Sequence, residues 1–185
     1  MKIFISGGCK NGKSYYAQHL AKRQQTSGDG ALYYVATMNA TDREDEARIK
    51  KHRQEREGWG FTTVEQRRDI ENILNICEHS GSFLLDSLTA LLANEMFTAD
   101  RAIHTNASEK IADGLLEITD RISNIIIVSD YIYGDAELYD PLTEQYRKFL
   151  AAIDRLAAYS CDVVLEVCHT HVIFHKGKEA FDAVF

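Results

Sequence analysis

The chain has 185 residues and a formal net charge of −7, from 21 Lys+Arg and 28 Asp+Glu. Hydrophobic residues make up 45% and charged residues 26%, with one proline, which excludes collagen-like, low-complexity and disordered chains. The acidic balance argues against non-specific binding to nucleic acid or to anionic membranes. We expect one domain over residues 1–185.

Export and membrane insertion are not expected from the sequence. No apolar run approaches the roughly 18 residues that a membrane-spanning helix needs. The first residues, Lys2–Ser6 followed by two glycines, lack the long apolar region of a signal peptide. The four cysteines form no C-x-x-C pair, so we expect reduced thiols and a cytoplasmic location.

Predicted strands and helices alternate along the chain. The strands are Lys2–Ser6, Ala31–Thr37, Phe61–Glu65, Phe83–Asp86, Ile125–Val128, Val163–Val167 and a return strand at the sheet edge, Val172–His175. The helices run from about Lys13 to Gln24, Thr41 to Glu57, Asp69 to Glu78, Ser87 to Phe97, Ala107 to Ile122 and Leu138 to Tyr159. The alternation predicts an α/β fold, a mainly parallel sheet with helices on both faces.

A phosphate-binding loop follows the first predicted strand. The segment Gly7-Gly8-Cys9-Lys10-Asn11-Gly12-Lys13-Ser14 matches G-x-x-x-x-G-K-[ST] at every fixed position, with a strand before it and a helix after it. The glycines let successive backbone N–H groups point at one phosphate, and the helix N-terminus adds its positive dipole end. Lys13 is expected to reach the β- and γ-phosphates of ATP or GTP, and the Ser14 hydroxyl to bind Mg²⁺.

An acidic partner for the metal ion is expected at the end of a buried strand. Asp86 follows three apolar residues, Phe83-Leu84-Leu85, and is the candidate. The alternative is that Asp86 only caps the helix that follows it. The phosphate-binding loop favours the metal role.

The second predicted helix is unusually charged. It opens with Thr41 and Glu44 in the T-x-x-E form of a capping box. Arg48, His52 and Arg56 lie four residues apart, along one line of the helix. This stripe is either a solvated charged face or a surface facing a polyphosphate. In the second case the cationic setting would lower the pKa of His52 and leave a neutral, nucleophilic imidazole.

Ordered motifs over residues 1–97 resemble one enzyme family, the adenosylcobinamide kinase / adenosylcobinamide-phosphate guanylyltransferases. The matching segments are Gly7–Ser14, Tyr34-Val35-Ala36-Thr37, Asp42 with Glu44, Arg48-Ile49 with His52-Arg53 and Arg56, Trp59, Thr63-Val64-Glu65, Leu84-Leu85-Asp86-Ser87-Leu88-Thr89 and Asn94. The segment around His52 is more specific than the loop, which many families share.

The resemblance implies a RecA-like P-loop NTPase fold and a cytoplasmic enzyme of cobalamin biosynthesis. Such an enzyme phosphorylates the aminopropanol hydroxyl of adenosylcobinamide and then transfers GMP from GTP onto that phosphate through a guanylylated histidine, matched by His52. The resemblance also implies a homotrimer. The residues that it places at the nucleotide are Gly7, Gly8, Cys9, Lys10, Asn11, Gly12, Lys13, Ser14, Ala36, Thr37, Met38, Arg53, Arg56, Glu65 and Asp86, with Ser14 and Asp86 at the Mg²⁺ ion.

The second half of the chain departs from the family pattern. Where the family reads V-T-N-E-V-G, this chain has Val128-Ser129-Asp130-Tyr131-Ile132-Tyr133-Gly134. Two other readings therefore stay open: a P-loop kinase acting on another small alcohol, or a nucleotide-binding module without turnover. The tyrosines of this region, Tyr131, Tyr133 and Tyr139, could pack a large planar ligand or a subunit interface. His169, His171 and His175 lack the ligand spacing of typical zinc sites.

Overall fold

A computed structural model gives one seven-stranded sheet with helices on both faces. The structure describes residues 1–26, 30–40, 43–98, 102–169 and 171–185, without the side chains of Thr26, Glu44, Asp45, Arg48, Lys51, His52 and Glu55. The predicted capping residue Thr41 and the matched Asp42 therefore lie outside the described residues.

The elements follow one another in the predicted alternation. The strands are β1 (Lys2–Ser6), β2 (Leu32–Ala36), β3 (Phe61–Glu65), β4 (Ser82–Asp86), β5 (Asn124–Val128), β6 (Val163–Cys168) and β7 (His171–Lys176). The helices are α1 (Lys13–Thr26), α2 (Arg43–Glu55), α3 (Ile73–Ile76), α4 (Leu88–Met96), α5 (Ala107–Arg121), α6 (Pro141–Ser160) and α7 (Lys178–Asp182), and a 3-10 turn at Ile70–Asn72 precedes α3.

The strand order across the sheet is β3-β2-β4-β5-β1-β6-β7. Every neighbouring pair is parallel except β6 and β7, which are antiparallel. The expected return strand at the sheet edge is therefore confirmed. Because parallel strands end at the same edge, the residues that follow β1, β2, β4 and β5 come together there.

Two apolar layers cover the sheet. On one face, alternate residues of the strands, such as Ile3 and Ile126, pack against Ala17 and Leu20 of α1 and Phe181 of α7. On the other face the intervening residues pack against α3, α4, α5 and α6. The central strands carry apolar residues on both sides because both faces are covered.

Two helix predictions need correction. The predicted helix from Leu138 begins instead at Pro141, because Asp140 caps it by accepting hydrogen bonds from the backbone N–H groups of Leu142 and Thr143 at 3.0 and 3.1 Å. Proline suits this first position, where its missing N–H costs no helical hydrogen bond.

The predicted helix from Asp69 to Glu78 is the second correction. Asp69 has a left-handed backbone (φ 50°), so it cannot open a right-handed helix, and the chain forms only the 3-10 turn and the single turn of α3. The short helix α7, after β7, was not predicted.

Candidate active site

A cleft of about 710 Å³ lies at the carboxyl edge of the central strands. It is lined by the phosphate-binding loop, the ends of β2 and β4, and residues from α2, α4 and α6. The structure brings most of the predicted site residues to this cleft: Cys9, Lys10, Asn11, Gly12, Lys13, Ser14, Ala36, Met38, Arg53, Arg56, Glu65 and Asp86. The cleft is thus lined both by the phosphate-binding loop and by Ile49 and Arg53 of α2.

The phosphate-binding loop is held against the end of β6. Gly7 (φ 145°) lies so close to the carbonyl oxygen of Val167 that no side chain fits there, and the Asn11 side-chain amide donates a hydrogen bond to the same oxygen. Gly12 (φ 91°) then lets the chain turn into α1. Both positions therefore require glycine, which accounts for the glycines that the motif has at Gly7 and Gly12. Gly7 is buried and Gly8 is exposed, and neither of them lines the cleft.

Lys13 lies inside the loop, with only 5% of its side chain exposed. Its Nζ donates hydrogen bonds to the Gly8 carbonyl oxygen at 2.6 Å and to Asp130 Oδ1 at 2.7 Å. Asn11 Oδ1 lies at 3.4 Å as well, so three oxygens orient the ammonium group. A triphosphate would compete with these oxygens for the same charge.

Asp86 ends β4 beneath the cleft and is held by Tyr34. The Tyr34 hydroxyl donates a hydrogen bond to Asp86 Oδ2 at 2.8 Å. The Arg56 guanidinium stacks on the Tyr34 ring, 3.8 Å from the ring centre, and donates a hydrogen bond to the Thr63 hydroxyl. Burial lowers the pKa of Arg56, although the negative charge of Asp86 opposes this shift.

The link from β4 to α4 shows that Asp86 is not the helix cap. Ser87 is the N-cap of α4, and its hydroxyl accepts a hydrogen bond from the backbone N–H of Ala90 at 3.3 Å. The predicted site residue Thr37 is fully buried; its hydroxyl accepts from Ser87 N at 2.7 Å and donates to Ser87 O at 2.8 Å. Thr37 therefore ties the end of β2 to the end of β4, and it does not line the cleft.

Helix α2 is attached to the rest of the molecule at its carboxyl end. Trp59, just after α2, packs edge-on against His19 of α1 (ring centres 4.5 Å apart), and His19 packs against Tyr15 at 4.4 Å. Arg53 pairs with Glu65 at the end of β3. His52 lies one residue before Arg53 in α2, and its side chain is outside the part of the chain that the structure describes.

Ten residues that line the cleft escaped prediction as site residues, among them Tyr34, Asp130 and Tyr146. Asp130 follows β5 as Asp86 ends β4, so the rule that ligands bind at the carboxyl ends of parallel strands could have identified it. Tyr34 contacts Asp86 from the middle of the buried strand β2. Every residue of that strand is apolar or aromatic, so the sequence does not distinguish Tyr34 as a site residue. Tyr146, whose hydroxyl donates to the Thr89 carbonyl oxygen at 2.8 Å, reaches the cleft from a distant helix.

The oxygen atoms of the cleft suit a magnesium ion. Mg²⁺ prefers carboxylate, hydroxyl and phosphate oxygens, and Ser14 and Asp86 line the same cavity as Lys13. No group of three or more His, Cys, Asp or Glu side chains that could hold a metal ion occurs among the described residues, so a Mg²⁺ ion at the cleft would also need oxygens of Ser14 and of a bound phosphate. In the β6–β7 hairpin, His175 Nε2 is instead 2.8 Å from Glu166 Oε2, and His171 Nδ1 is 3.1 Å from the His169 carbonyl oxygen.

Cys9, Cys77, Cys161 and Cys168 are all free thiols. None of the described helices is both long enough and apolar enough to cross a bilayer.

Solved structures resemble this fold at low sequence identity. A KaiC-like protein from Pyrococcus horikoshii OT3 superposes with a TM-score of 0.52 over 95% of this chain and 78% of its own, at 12% identity. This likeness concerns the fold alone. Together with the strand order and the loop after β1, it confirms the predicted RecA-like P-loop NTPase fold.

Two curated relatives resemble the sequence itself. The bifunctional adenosylcobalamin biosynthesis protein CobU of Escherichia coli K12 is 33% identical over 100 residues, which is 52% of this chain and 51% of that protein. The corresponding protein CobP of Pseudomonas aeruginosa PAO1 is 31% identical over 130 residues, 70% of this chain and 71% of that protein. The match to the Escherichia coli relative thus spans about half of that relative's length.

A match to a known family extends further along the chain than the motifs in residues 1–97. It covers residues 3–173 and therefore includes the second half, where the motifs diverge. The predicted membership in an enzyme family is confirmed: the chain belongs to the cobinamide kinase / cobinamide phosphate guanyltransferase family.

Proposed function

We propose that this chain phosphorylates the aminopropanol hydroxyl of adenosylcobinamide and then transfers GMP from GTP onto the new phosphate, as a step of cobalamin biosynthesis. One observation carries the proposal: a single cleft is lined by the phosphate-binding loop with Lys13, by Ile49 and Arg53 of α2, and by Arg56 just after that helix. His52 lies on the helix between Ile49 and Arg56. A triphosphate bound by the loop would therefore extend toward the helix that carries the histidine.

In the phosphoryl-transfer step, the residues of the loop bind and orient the triphosphate. Lys13 and the backbone N–H groups of residues 8–14 would stabilise the negative charge that develops on the transferred group. Ser14 and Asp86 would hold Mg²⁺, which neutralises phosphate charge when bound. Tyr34 keeps the Asp86 carboxylate in one orientation through its hydrogen bond.

In the guanylyl-transfer step, His52 would act as the nucleophile. Its neutral imidazole attacks the α-phosphorus of GTP, a nitrogen–phosphorus bond forms, and pyrophosphate leaves with the electron pair of the broken bond. The phosphate of the acceptor then attacks the same phosphorus and releases the imidazole. Arg53 and Arg56, one and four residues after His52 in the sequence, line the cleft and would compensate the charge of the phosphates.

Labelling with [α-³²P]GTP tests the role of His52. We expect the wild-type chain to acquire an acid-labile, histidine-linked GMP that disappears on addition of adenosylcobinamide phosphate. His52→Asn is expected to lose the label. His175→Asn, a change in β7 outside the residues lining the cleft, is the matched control and should be labelled like the wild type. An equal label on His52→Asn, or no label on wild-type protein that binds GTP, would reject the transferase half.

A kinase without guanylyl transfer is the second candidate. It is favoured by the chain's own sequence after β5, where Asp130 and Tyr131 replace the family's usual residues and Asp130 lines the cleft. It predicts transfer of the γ-phosphate without labelling of the protein by [α-³²P]GTP, so the same experiment separates the two.

We also propose that residues 1–185 act as one domain, in the cytoplasm, and assemble as a homotrimer by analogy with the family. Light scattering of the purified chain measures the assembly directly. A monomer at micromolar concentration would contradict this part of the proposal.

A further inference from the structure

The carboxylate of Asp130 touches the lysine of the phosphate-binding loop. Its Oδ1 accepts a hydrogen bond from Lys13 Nζ at 2.7 Å. We propose that Asp130 is the general base of the phosphoryl-transfer step, the group that takes the proton from the acceptor hydroxyl. This inference rests on the kinase half of the proposed function and adds a catalytic residue to it.

The position of Asp130 is fixed by the backbone around it. The N–H of Asp130 donates to the Thr89 hydroxyl at 2.9 Å, and the N–H of Tyr131 donates to the Gly7 carbonyl oxygen at 2.9 Å. The residue is therefore anchored to both the phosphate-binding loop and α4. About a quarter of its side chain (27%) is exposed, so a hydroxyl entering the cleft can reach it.

The contact with Lys13 places Asp130 near the reacting phosphate. A lysine at this position of the loop reaches the β- and γ-phosphates. A carboxylate oxygen that shares this lysine with a γ-phosphate oxygen lies within about 6 Å of that phosphate oxygen, since each hydrogen bond spans roughly 3 Å. An acceptor hydroxyl beside the γ-phosphate is therefore within reach of a direct hydrogen bond to Asp130, the contact that a general base needs.

The other acidic side chains of the cleft are already engaged. Among the described residues, the cleft is lined by three carboxylates, those of Glu65, Asp86 and Asp130. Glu65 pairs with Arg53 and with Arg67. Asp86 accepts the Tyr34 hydroxyl and belongs with Ser14 as a metal ligand. Asp130 alone of the three contacts Lys13.

Binding of the nucleotide would free the base. As Lys13 turns to the phosphates, its hydrogen bond to Asp130 is exchanged for one to the triphosphate. The acceptor oxygen then attacks the γ-phosphorus and forms the new oxygen–phosphorus bond, while its proton passes to Asp130 Oδ1. The bond from the γ-phosphorus to the β,γ-bridging oxygen breaks, and its electron pair leaves with the nucleoside diphosphate.

The two halves of the proposed function differ in their need for this base. The alcohol of the first acceptor must lose a proton as it reacts. The nucleophiles of guanylyl transfer are a neutral imidazole nitrogen and an ionised phosphate oxygen, and neither needs a carboxylate to remove a proton from it. A loss of the base should therefore affect phosphoryl transfer much more than GMP labelling.

The test compares Asp130→Asn with wild type in both half-reactions. Asparagine keeps the shape of the side chain but cannot accept a proton. We expect transfer of ³²P from [γ-³²P]ATP to adenosylcobinamide to fall at least 100-fold, within the 10²–10⁴-fold range of general-base effects. GMP labelling from [α-³²P]GTP should fall less than tenfold, and the Kd for ATP should not rise. Asp120→Asn, an exposed change in α5, is the matched control for loss of one negative charge.

Three results would overturn the role of Asp130. The first is phosphoryl transfer by Asp130→Asn within threefold of wild type. The second is a parallel loss of both half-reactions, which would make Asp130 a positioning residue for Lys13. The third is a rise in the Kd for ATP that accounts for the lost turnover. Wild-type protein assayed in parallel distinguishes a failure of this proposal from a failure of the proposed function. If the wild-type protein does not phosphorylate adenosylcobinamide, the kinase activity itself is rejected.

Discussion

The buried carboxyl group of Asp154 makes the stability of the fold depend on pH. Asp154 of α6 is 3% exposed, and the Tyr133 hydroxyl donates a hydrogen bond to its Oδ2 at 2.9 Å. Burial raises the pKa of Asp154 to about 6, because the charged form loses its hydration, and the hydrogen bond from Tyr133 only partly opposes this. The folded chain therefore holds a proton on Asp154 more tightly than the unfolded chain does.

The pKa of Asp154 gives a signed prediction for stability. Between about pH 4, the usual pKa of an aspartate, and pH 6, the unfolded chain has released this proton and the folded chain has kept it. The contribution of Asp154 to the free energy of unfolding should thus decrease by about 2 kcal/mol as the pH rises from 4 to 6, and level off above about pH 7.

The measurement is the difference in unfolding free energy between Asp154→Asn and wild type, by urea titration at pH 4, 5, 6 and 7. The difference cancels the titration of the other carboxylates. It should shift in favour of Asp154→Asn across this range, while Asp120→Asn gives a flat difference. A flat line for Asp154→Asn as well would contradict the raised pKa.

At the scale of elements, one buried charge joins α4, α5 and the chain after β3. Glu95 of α4 is 2% exposed and accepts hydrogen bonds from Lys110 Nζ at 2.7 Å, from Arg68 Nε at 3.3 Å and from the backbone N–H of Asp69 at 2.6 Å. The same segment carries Arg67 into the cleft. Glu95 does not line the cleft, but it fixes the position of the segment that brings Arg67 there.

Glu95→Gln tests this attachment. The substitution keeps the size of the side chain but removes the charge that Lys110 and Arg68 face. We expect the free energy of unfolding to fall by about 2 kcal/mol, since hydrogen bonds to charged groups contribute about 1.5–3 kcal/mol and the two cations can partly turn to solvent. Denaturant titration measures it.

An exposed ion pair supplies the comparison for Glu95. Arg121 and Glu117 pair at 3.0 Å on the surface of α5, with about half of each side chain exposed. Arg121→Gln is expected to change stability by less than about 0.5 kcal/mol. Equal effects of the two substitutions would show that Glu95 contributes no more than a surface charge.

At the scale of the whole molecule, most of the fold could be predicted from sequence. Apolar runs that are buried on both faces, such as Ile125–Val128, identified the central strands, and the bounds of β1 and β3 were predicted to the residue. The helix bounds that were predicted wrongly depend on the backbone conformation or capping of single residues. The left-handed Asp69 shortens one helix, and the cap at Asp140 sets the start of another.

The site was less predictable than the fold, because it depends on contacts between distant segments. The loop and Asp86 were found through motifs in which the residues are close in sequence. The pairing of Lys13 with Asp130 spans 117 residues, and the bond of Tyr34 to Asp86 spans 52. Neither pair has a spacing that a single sequence reveals, since only the strand order brings them together.

Binding at the cleft should stabilise the whole chain, since residues of β2, β3 and β4, of the segments after β1 and β5, and of the surrounding helices meet there only when the chain is folded. A ligand at 100 times its Kd that binds only the folded state adds about 2.7 kcal/mol. For a chain of this length that corresponds to a rise in Tm of about 5–10 °C. We expect this rise with ATP and Mg²⁺, measured by scanning calorimetry.

Lys13→Ala separates binding at the loop from binding elsewhere. Loss of about 2 kcal/mol of charged hydrogen bonding weakens the affinity roughly 30-fold. At the same ATP concentration the stabilisation then falls below about 1 kcal/mol, and the rise in Tm falls to about 2–3 °C. Lys148→Ala, an exposed change in α6, should keep the full rise. If Lys13→Ala also kept it, the triphosphate would be binding somewhere other than the loop that follows β1.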